Sequence, residues 1–213
     1  MPQTITDRAI VLYLEQWRES DKRVIFYTEH HGKRSAVAIG AAKIRSKLAG
    51  HLEPLRSTRV MIASGKQTDK IAQALTIESF VPDPFDAQRI VYLGAVTRFI
   101  SRAVESNAPD EELFGLLYSA LVDISGASFS EPGAVDGIFG AHLFALATHV
   151  GYAPEFMQCV VCSRGEELIK FSPSQGGVVC RTCVVPGVSM VYEPAPEKAH
   201  TFVFEHLRWR GLI

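Results

Sequence analysis

Four cysteines are the residues of this 213-residue chain best suited to chemistry, and they stand in two pairs, Cys159-Val160-Val161-Cys162 and Cys180-Arg181-Thr182-Cys183. Seventeen residues separate the pairs. Each C-x-x-C can bring two thiolates to one edge of a tight turn, and two facing knuckles supply the closed tetrahedral shell that Zn²⁺ takes in structural sites. The expected cofactor is therefore a structural zinc ion held by Cys159, Cys162, Cys180 and Cys183.

Other readings of the cysteines fit less well. A thioredoxin-like redox site is one C-x-x-C opening a helix after a strand, whereas two matched pairs here flank a segment rich in Gly and Ser. Disulfides would suit a secreted protein, but Met1-Pro2-Gln3-Thr4-Ile5-Thr6-Asp7 has neither the basic start nor the apolar run of a signal peptide. A catalytic zinc keeps a position open for water, and four thiolates close it. His51-Leu52-Glu53 has the H-x-E form of zinc deaminases, yet it lies more than 100 residues before Cys159 and leaves one cysteine pair unexplained. It is read as chance.

Composition sets the wider bounds. With 47% apolar and 21% charged residues the chain is ordinary globular protein. The most apolar stretch, 138–150, is interrupted by His142 and His149 and falls short of a membrane span; a soluble, intracellular protein is expected. The net charge of −1 conceals an asymmetry. Residues 1–80 carry 13 Lys and Arg against 8 Asp and Glu, and residues 81–213 carry 9 against 15. Between Glu29 and Glu53 stand Lys33, Arg34, Lys43, Arg45 and Lys47 with no acidic residue. That is the footprint of a surface that neutralises phosphates, with a plain solvated loop as the alternative.

The elements that must carry these residues change character along the chain. Residues 8–17, 23–28, 35–39, 58–62 and 71–80 are short β-branched and aromatic runs, and His31-Gly32 and Ser64-Gly65 supply turns. Five short strands without a helical crossover suit a small closed barrel of the OB type. Residues 40–50 form a polar excursion. Arg8, Lys22, Arg23, Arg56 and Arg59 flank or alternate along these strands, so some must face away from any bound strand. Tyr13, Trp17, Phe26 and Tyr27 can either stack on bases or fill the core, and Trp17 stands apart because charged residues follow it. His30 and His31 read as solvated turn residues.

After Val81-Pro82-Asp83-Pro84 the apolar period lengthens to that of a helix. Asp86 can cap a helix with Ile90, Leu93, Val96, Phe99 and Ile100 on one stripe, and Pro109 can open a second with Asp110, Glu111 and Glu112 in its first turn. A third helix is expected from Pro132 to Val150, ended by Gly151, and a closing one from Glu197 to Trp209 after the extended linker Glu193-Pro194-Ala195-Pro196. The expected class is α+β: an N-terminal OB-fold domain over residues 1–80, then a helical domain over 81–213 with a zinc module embedded at about 157–185.

The local sequences resemble the bacterial RecO family of recombination mediators. The resemblance is carried by Arg8-Ala9-Ile10-Val11-Leu12, Glu19-Ser20-Asp21-Lys22, Phe26-Tyr27-Thr28-Glu29-His30-His31-Gly32-Lys33 and Ser46-Lys47-Leu48-Ala49-Gly50-His51-Leu52-Glu53-Pro54. Gly151-Tyr152-Ala153-Pro154 and Phe171-Ser172-Pro173-Ser174-Gln175-Gly176-Gly177-Val178-Val179-Cys180 extend it toward the end of the chain. It implies a DNA-binding OB-fold, a helical domain and a zinc knuckle. It also implies a non-enzymatic role in the RecF pathway of DNA repair, in the bacterial cytoplasm on the nucleoid. There such proteins bind and anneal single- and double-stranded DNA and, with RecR, help RecA replace single-strand binding protein (SSB). Family members continue with further helices beyond the position of Trp209, whereas this sequence ends at Ile213. A scaffold that docks RecR or SSB, with Glu166 and Glu167 on its knuckle and DNA contact secondary, is the alternative function.

Overall fold

The computed structural model describes residues 4–82, 85–127, 133–184, 190–192 and 199–213. Two expected features, the Asp83-Pro84 part of the boundary and the linker at 193–196, lie outside the described residues. So do the expected helix starts at Pro132 and Glu197. Contacts divide the chain into two compact units, 1–125 and 126–213.

The first unit opens with five strands: β1 (Thr4–Arg18), β2 (Asp21–Thr28), β3 (Gly32–Ala38), β4 (Arg56–Ala63) and β5 (Lys70–Ser79). They close in the order β1-β2-β3-β5-β4, with β4 returning to β1, as an OB-type barrel does. The ladders β1–β2, β2–β3, β1–β4 and β4–β5 are antiparallel and long. Closure between β3 and β5 rests on one parallel bridge, Val37 to Lys70. Alternate residues Ala9, Val11, Val24, Phe26, Ala36, Ala38, Val60 and Ile62 point inward and form the core.

β1 is longer than its apolar run suggests. It pairs with β4 only from Thr4 to Ile10, then continues beside β2 to a tight hairpin at Arg18 and Asp21. Register shifts fall between Val11 and Tyr13 and between Gln16 and Arg18; such bulges re-aim side chains. At the next turn Gly32 takes φ +68, while the Thr28 hydroxyl donates to the Gly32 carbonyl at 2.8 Å.

The unit is completed by α1 (Ala87–Ala103) and α2 (Glu111–Gly126). Asp86 caps α1 as its position implies, accepting from the amides of Gln88 and Arg89 at 2.8 and 3.2 Å. The start of α2 differs from expectation. Asp110 is its cap, accepting from Leu113 N at 2.8 Å, so Pro109 precedes the cap instead of occupying the first helical position. A side-chain acceptor at Asp110 satisfies an orphan amide that a proline at that place would not serve.

The second unit holds α3 (Ala134–His149), a sheet of β6 (Leu168–Ser172), β7 (Gly177–Cys180) and β8 (Met190–Val191) in the order β7-β6-β8, and α4 (Ala199–Trp209). Gly151 ends α3 as the sequence implies. At φ +78 it donates to Thr148 O at 3.1 Å and Tyr152 N donates to Ala147 O at 2.7 Å, the bond pair of a Schellman cap. Gly140 lets α4 approach α3, since a Cβ there would lie 2.5 Å from His200 Cβ. Phe156 stacks on Phe171, and Phe171 meets Phe202 of α4 at a tilt of 42°, at 5.6 and 5.0 Å between centroids. Buried His206 adds a polar tie at 2.8 Å to Pro173 O. Burial holds its pKa below the ordinary value, so the neutral ring donates through Nδ1. The cysteine module thus brings a small sheet of its own into a unit whose other described elements are helices.

Candidate nucleic-acid interface and metal centre

The two C-x-x-C pairs meet. Each knuckle is shaped by backbone bonds: Ser163 N to Cys159 O at 2.8 Å in the first, Cys183 N to Cys180 O at 3.0 Å in the second. Ser163 and Glu167 take φ +59 and +51 to complete the turns. β6 and β7 align Leu168 with Cys180, and Val160 N donates to Val178 O at 3.0 Å, which brings the first knuckle against the second. Gly177 permits this closeness, because a Cβ there would lie 2.5 Å from Glu155 O.

The result places all four Sγ atoms within 4.8 Å of one another. Cys162 Sγ and Cys180 Sγ are 3.7 Å apart, too far for a disulfide. A tetrahedron with metal–sulfur bonds of about 2.3 Å has an edge of about 3.8 Å, so the donor set fits a divalent ion that prefers thiolates. Thr182, whose hydroxyl is 3.1 Å from Cys180 Sγ, and then the neighbouring thiols hold Cys180 down at about 6. The sulfurs of Cys162 and Cys180 push Cys183 up to about 12. Four sulfurs this close share their negative charge only when a cation sits among them.

The basic residues separate into two groups. Lys43, Arg45 and Lys47 are exposed on the connection from β3 to β4, with Ile44 between them fully exposed. Ala41 and Leu52 enter the barrel core on either side and Leu48 packs against it, so residues 42–47 are the part held out as a short basic loop. The loop is also tied to the β1–β2 hairpin: Gly40 N donates to Asp21 Oδ1 at 2.8 Å and Ala42 N to Ser20 O at 3.0 Å. Lys47 joins Arg59, Thr6, His51, Met61 and Leu75 around an open groove of about 500 Å³ on the outer wall of the barrel. Lys22 lies 4.0 Å from Glu53, a weak surface pair.

The other group is engaged within the unit. Lys33 donates to Ser101 O at 2.8 Å and to Val104 O, which caps the C-terminal end of α1, and desolvation lowers its pKa. Arg34 pairs with Asp69 at 3.0 Å. Arg8 lies 4.3 Å over the Tyr118 ring and 5.7 Å from that of Phe114, with Nε donating to Ser57 Oγ at 3.1 Å. Arg23 lies 3.7 Å over the Trp17 ring, and Arg56 is half-buried in β4. Of the aromatics, Phe26 and Tyr27 are buried, whereas Tyr13 and Trp17 are 37% and 38% exposed. Arg18, exposed beside Trp17, is a cation that sequence reasoning passed over; its place directly after Trp17 was the available signal.

His30 and His31 are not simply solvated. Both Nδ1 atoms donate to the buried carboxylate of Asp7, at 2.9 and 2.7 Å, and His30 N adds a third bond at 3.0 Å. The turn after β2 is thereby pinned to β1. Burial works to raise the Asp7 pKa, but the bonds from His30, His31 and the amides of His30 and Arg8 outweigh it and the net shift is downward. The bond to Asp7 raises that of His30. The His30 contribution is complete below its ordinary 6.5 and is lost as pH rises through its raised value. The Asp7 contribution is complete above its ordinary 3.8 and is lost as pH falls through its lowered value. A ring-proton NMR titration is expected to place His30 above 6.5 in the native chain and to bring it back toward 6.5 in Asp7→Asn.

Among the described residues no helix is long and apolar enough to cross a membrane. The family model for "Recombination protein O N terminal" matches residues 1–80, and that for "Recombination protein O C terminal" matches residues 84–193. The chain is 32% identical over 179 residues to DNA repair protein RecO of Desulforamulus reducens, covering 82% of this chain and 67% of the relative. It is 29% identical over 177 residues to that of a Roseiflexus species, covering 82% of this chain and 60% of the relative. It is 32% identical over 200 residues to that of a Nocardioides species, covering 90% and 78%.

Proposed function

Because this chain belongs to the RecO family and so to DNA repair, we propose that it is a DNA-binding recombination mediator without catalytic residues, acting in the RecF pathway. In this reading residues 1–80 form the DNA-binding domain and residues 81–213 a helical domain that contains the zinc module at about 157–185. The protein binds single- and double-stranded DNA, anneals complementary strands and, with RecR, helps RecA displace SSB. It works in the bacterial cytoplasm, on the nucleoid.

The observation that carries the reading is the held-out loop with Lys43, Arg45 and Lys47 exposed and no carboxylate among them. Such a loop meets phosphates of any sequence, which is what a mediator requires. Arg59 and Lys22 extend the same basic surface, while Arg8, Lys33, Arg34 and Arg23 are engaged elsewhere in the unit and Arg56 is half-buried in β4. The cysteines Cys159, Cys162, Cys180 and Cys183 hold zinc as a structural ion: four thiolates complete its tetrahedron and leave no place for a reacting water. The ion supplies folding energy to the knuckle.

Anisotropy of a labelled oligonucleotide over a salt series tests this. Each lost phosphate contact lowers the salt slope by about 0.7 for a single strand. The triple variant Lys43→Ala, Arg45→Ala, Lys47→Ala is therefore expected to lose about 2 units of slope and, at 0.1 M salt, up to about 100-fold in affinity. Negligible binding by the native chain at low salt would overturn the reading. It would favour the scaffold reading, which draws on exposed Met157 and Val161 beside Glu166 and Glu167 at the knuckle.

A further inference from the structure

We propose that the outer face of the β1–β2 hairpin is a subsite for unpaired bases, with Trp17 as its stacking surface and Tyr13 as a second, and that it gives the protein a preference for single-stranded over duplex DNA. The proposal rests on the DNA-binding reading above and adds a role that the basic loop cannot supply.

The argument starts from strand geometry. Leu14 and Val24 are paired across β1 and β2, and both pack on the barrel core. Their neighbours Tyr13, Glu15 and Arg23 therefore point to the opposite, outer face. Trp17 falls within the second register shift and has no cross-strand partner, yet the Arg23 guanidinium 3.7 Å over its ring places it on that same outer face. Tyr13 stands beside the first shift. Two bulges thus aim two aromatic rings outward on a stretch of β1 that has left β4 behind.

These rings are not core. They are 37% and 38% exposed, whereas Phe26 and Tyr27 on the adjacent strand are fully buried. An indole backed by a guanidinium is a stiff, cationic π-surface, the kind on which any base stacks irrespective of sequence. Glu15 lies opposite Arg23; along the hairpin Arg18, Lys22 and Arg23 stand with Glu15, Glu19 and Asp21, the last of which is engaged by Gly40 N.

The position of the basic loop gives the face its ligand. Gly40 and Ala42 bond to Asp21 and Ser20 at the hairpin tip, so Lys43 lies one residue and Arg45 three residues from that anchor. A strand whose phosphates meet the loop has its bases beside Trp17. Bases stacked inside a duplex cannot reach such a ring without being unpaired, at a cost of a few kcal/mol. Phosphate contacts serve both forms, and the rings serve one.

The test compares native protein with Trp17→Ala and Trp17→Phe on three probes: a single-stranded oligonucleotide, its duplex, and a strand of the same length with abasic sites. Alanine is expected to weaken single-strand binding about tenfold or more and to leave duplex and abasic binding within about twofold; phenylalanine is expected to restore most of the loss. The chain has 2 tryptophans, so in a Trp209→Phe background the remaining indole emission reports Trp17, and it is expected to be quenched by the strand but not by the abasic probe. Equal losses on all three probes, or single-strand binding unchanged in Trp17→Ala with no quenching, would overturn the subsite while leaving the basic loop intact as a DNA contact. Failure of the native chain to bind any probe would instead remove the DNA-binding reading itself.

Discussion

Cys180→Ser is expected to abolish tight metal binding and to unfold the knuckle, while the DNA affinity proposed for the basic loop stays within about twofold. The reason lies in what else holds the module together. Its buried cluster consists of Cys159, Val179 and Cys180, with Val160, Leu168, Cys183 and Val184 packed around it. Two of the three buried members are ligands themselves. Ordering each residue costs about 1–2 kcal/mol of backbone entropy, and a single valine contributes about 2 kcal/mol of apolar burial. Thiolate–zinc bonds contribute on the order of 10 kcal/mol in sites of this kind. With zinc bound as proposed, the ion would be the core of the module. Metal content by mass spectrometry, thermal unfolding and oligonucleotide anisotropy on the same preparation check this together. A Cys180→Ser protein that melts at the native temperature after losing its metal would show that the knuckle stands without it. Loss of DNA binding at temperatures where the variant remains folded would show that the metal unit takes part in binding.

Gly32→Ala is expected to destabilise the first unit by about 3 kcal/mol or more. Two costs combine. A non-glycine residue at φ +68 gives up about 1–2 kcal/mol. The new Cβ would then lie 2.1 Å from Ala108 O, a backbone atom in the connection between α1 and α2 that cannot rotate away. Relieving the clash separates the β2–β3 turn from that connection and breaks the 2.9 Å bond from Asn107 N to Lys33 O. It also strains the 3.3 Å bond from the Tyr27 hydroxyl to Asp110 O. For a unit of this size the melting temperature should fall on the order of 10 °C. Gly50→Ala is the control. It has no positive φ and nothing within 4 Å of a new Cβ, so a change within about 0.5 kcal/mol is expected. Equal melting of Gly32→Ala and native protein would mean that the connection yields freely.

What the sequence disclosed follows a physical line between local and distant causes. The cysteine spacing, the cap at Asp86, the glycine stop at Gly151 and the turn at Gly32 are decided within a few residues, and each was legible. The strand set gave the barrel because alternation of Ala9, Val11, Val24, Phe26, Val60 and Ile62 is a local pattern as well. The destinations of the charges were not legible. Lys33 and Arg34 look the same as Lys43 and Arg45 in composition, but the first two meet Ser101 and Asp69, 68 and 35 residues away. Asp7 reads as one acid near a strand start, and only the closed barrel brings His30 and His31 to it. Trp17 and Phe26 are both aromatics in strands; bulges that no composition reveals decide which one faces water.

The lone bridge between Val37 and Lys70 gives the barrel an unequal mechanical character. Four of its five junctions are ladders of several residues, and the fifth is one pair reinforced by Val37 N to Asp69 O at 2.8 Å and the Arg34–Asp69 contact. Opening costs least where the fewest bonds must break. The barrel is in effect a rolled sheet fastened by a latch, and Asp69 is the catch: the same carboxylate that holds Arg34 sits on the residue whose carbonyl holds Val37. Strain in the wall is therefore relieved at least cost at that point, before any of the four long ladders has to unzip.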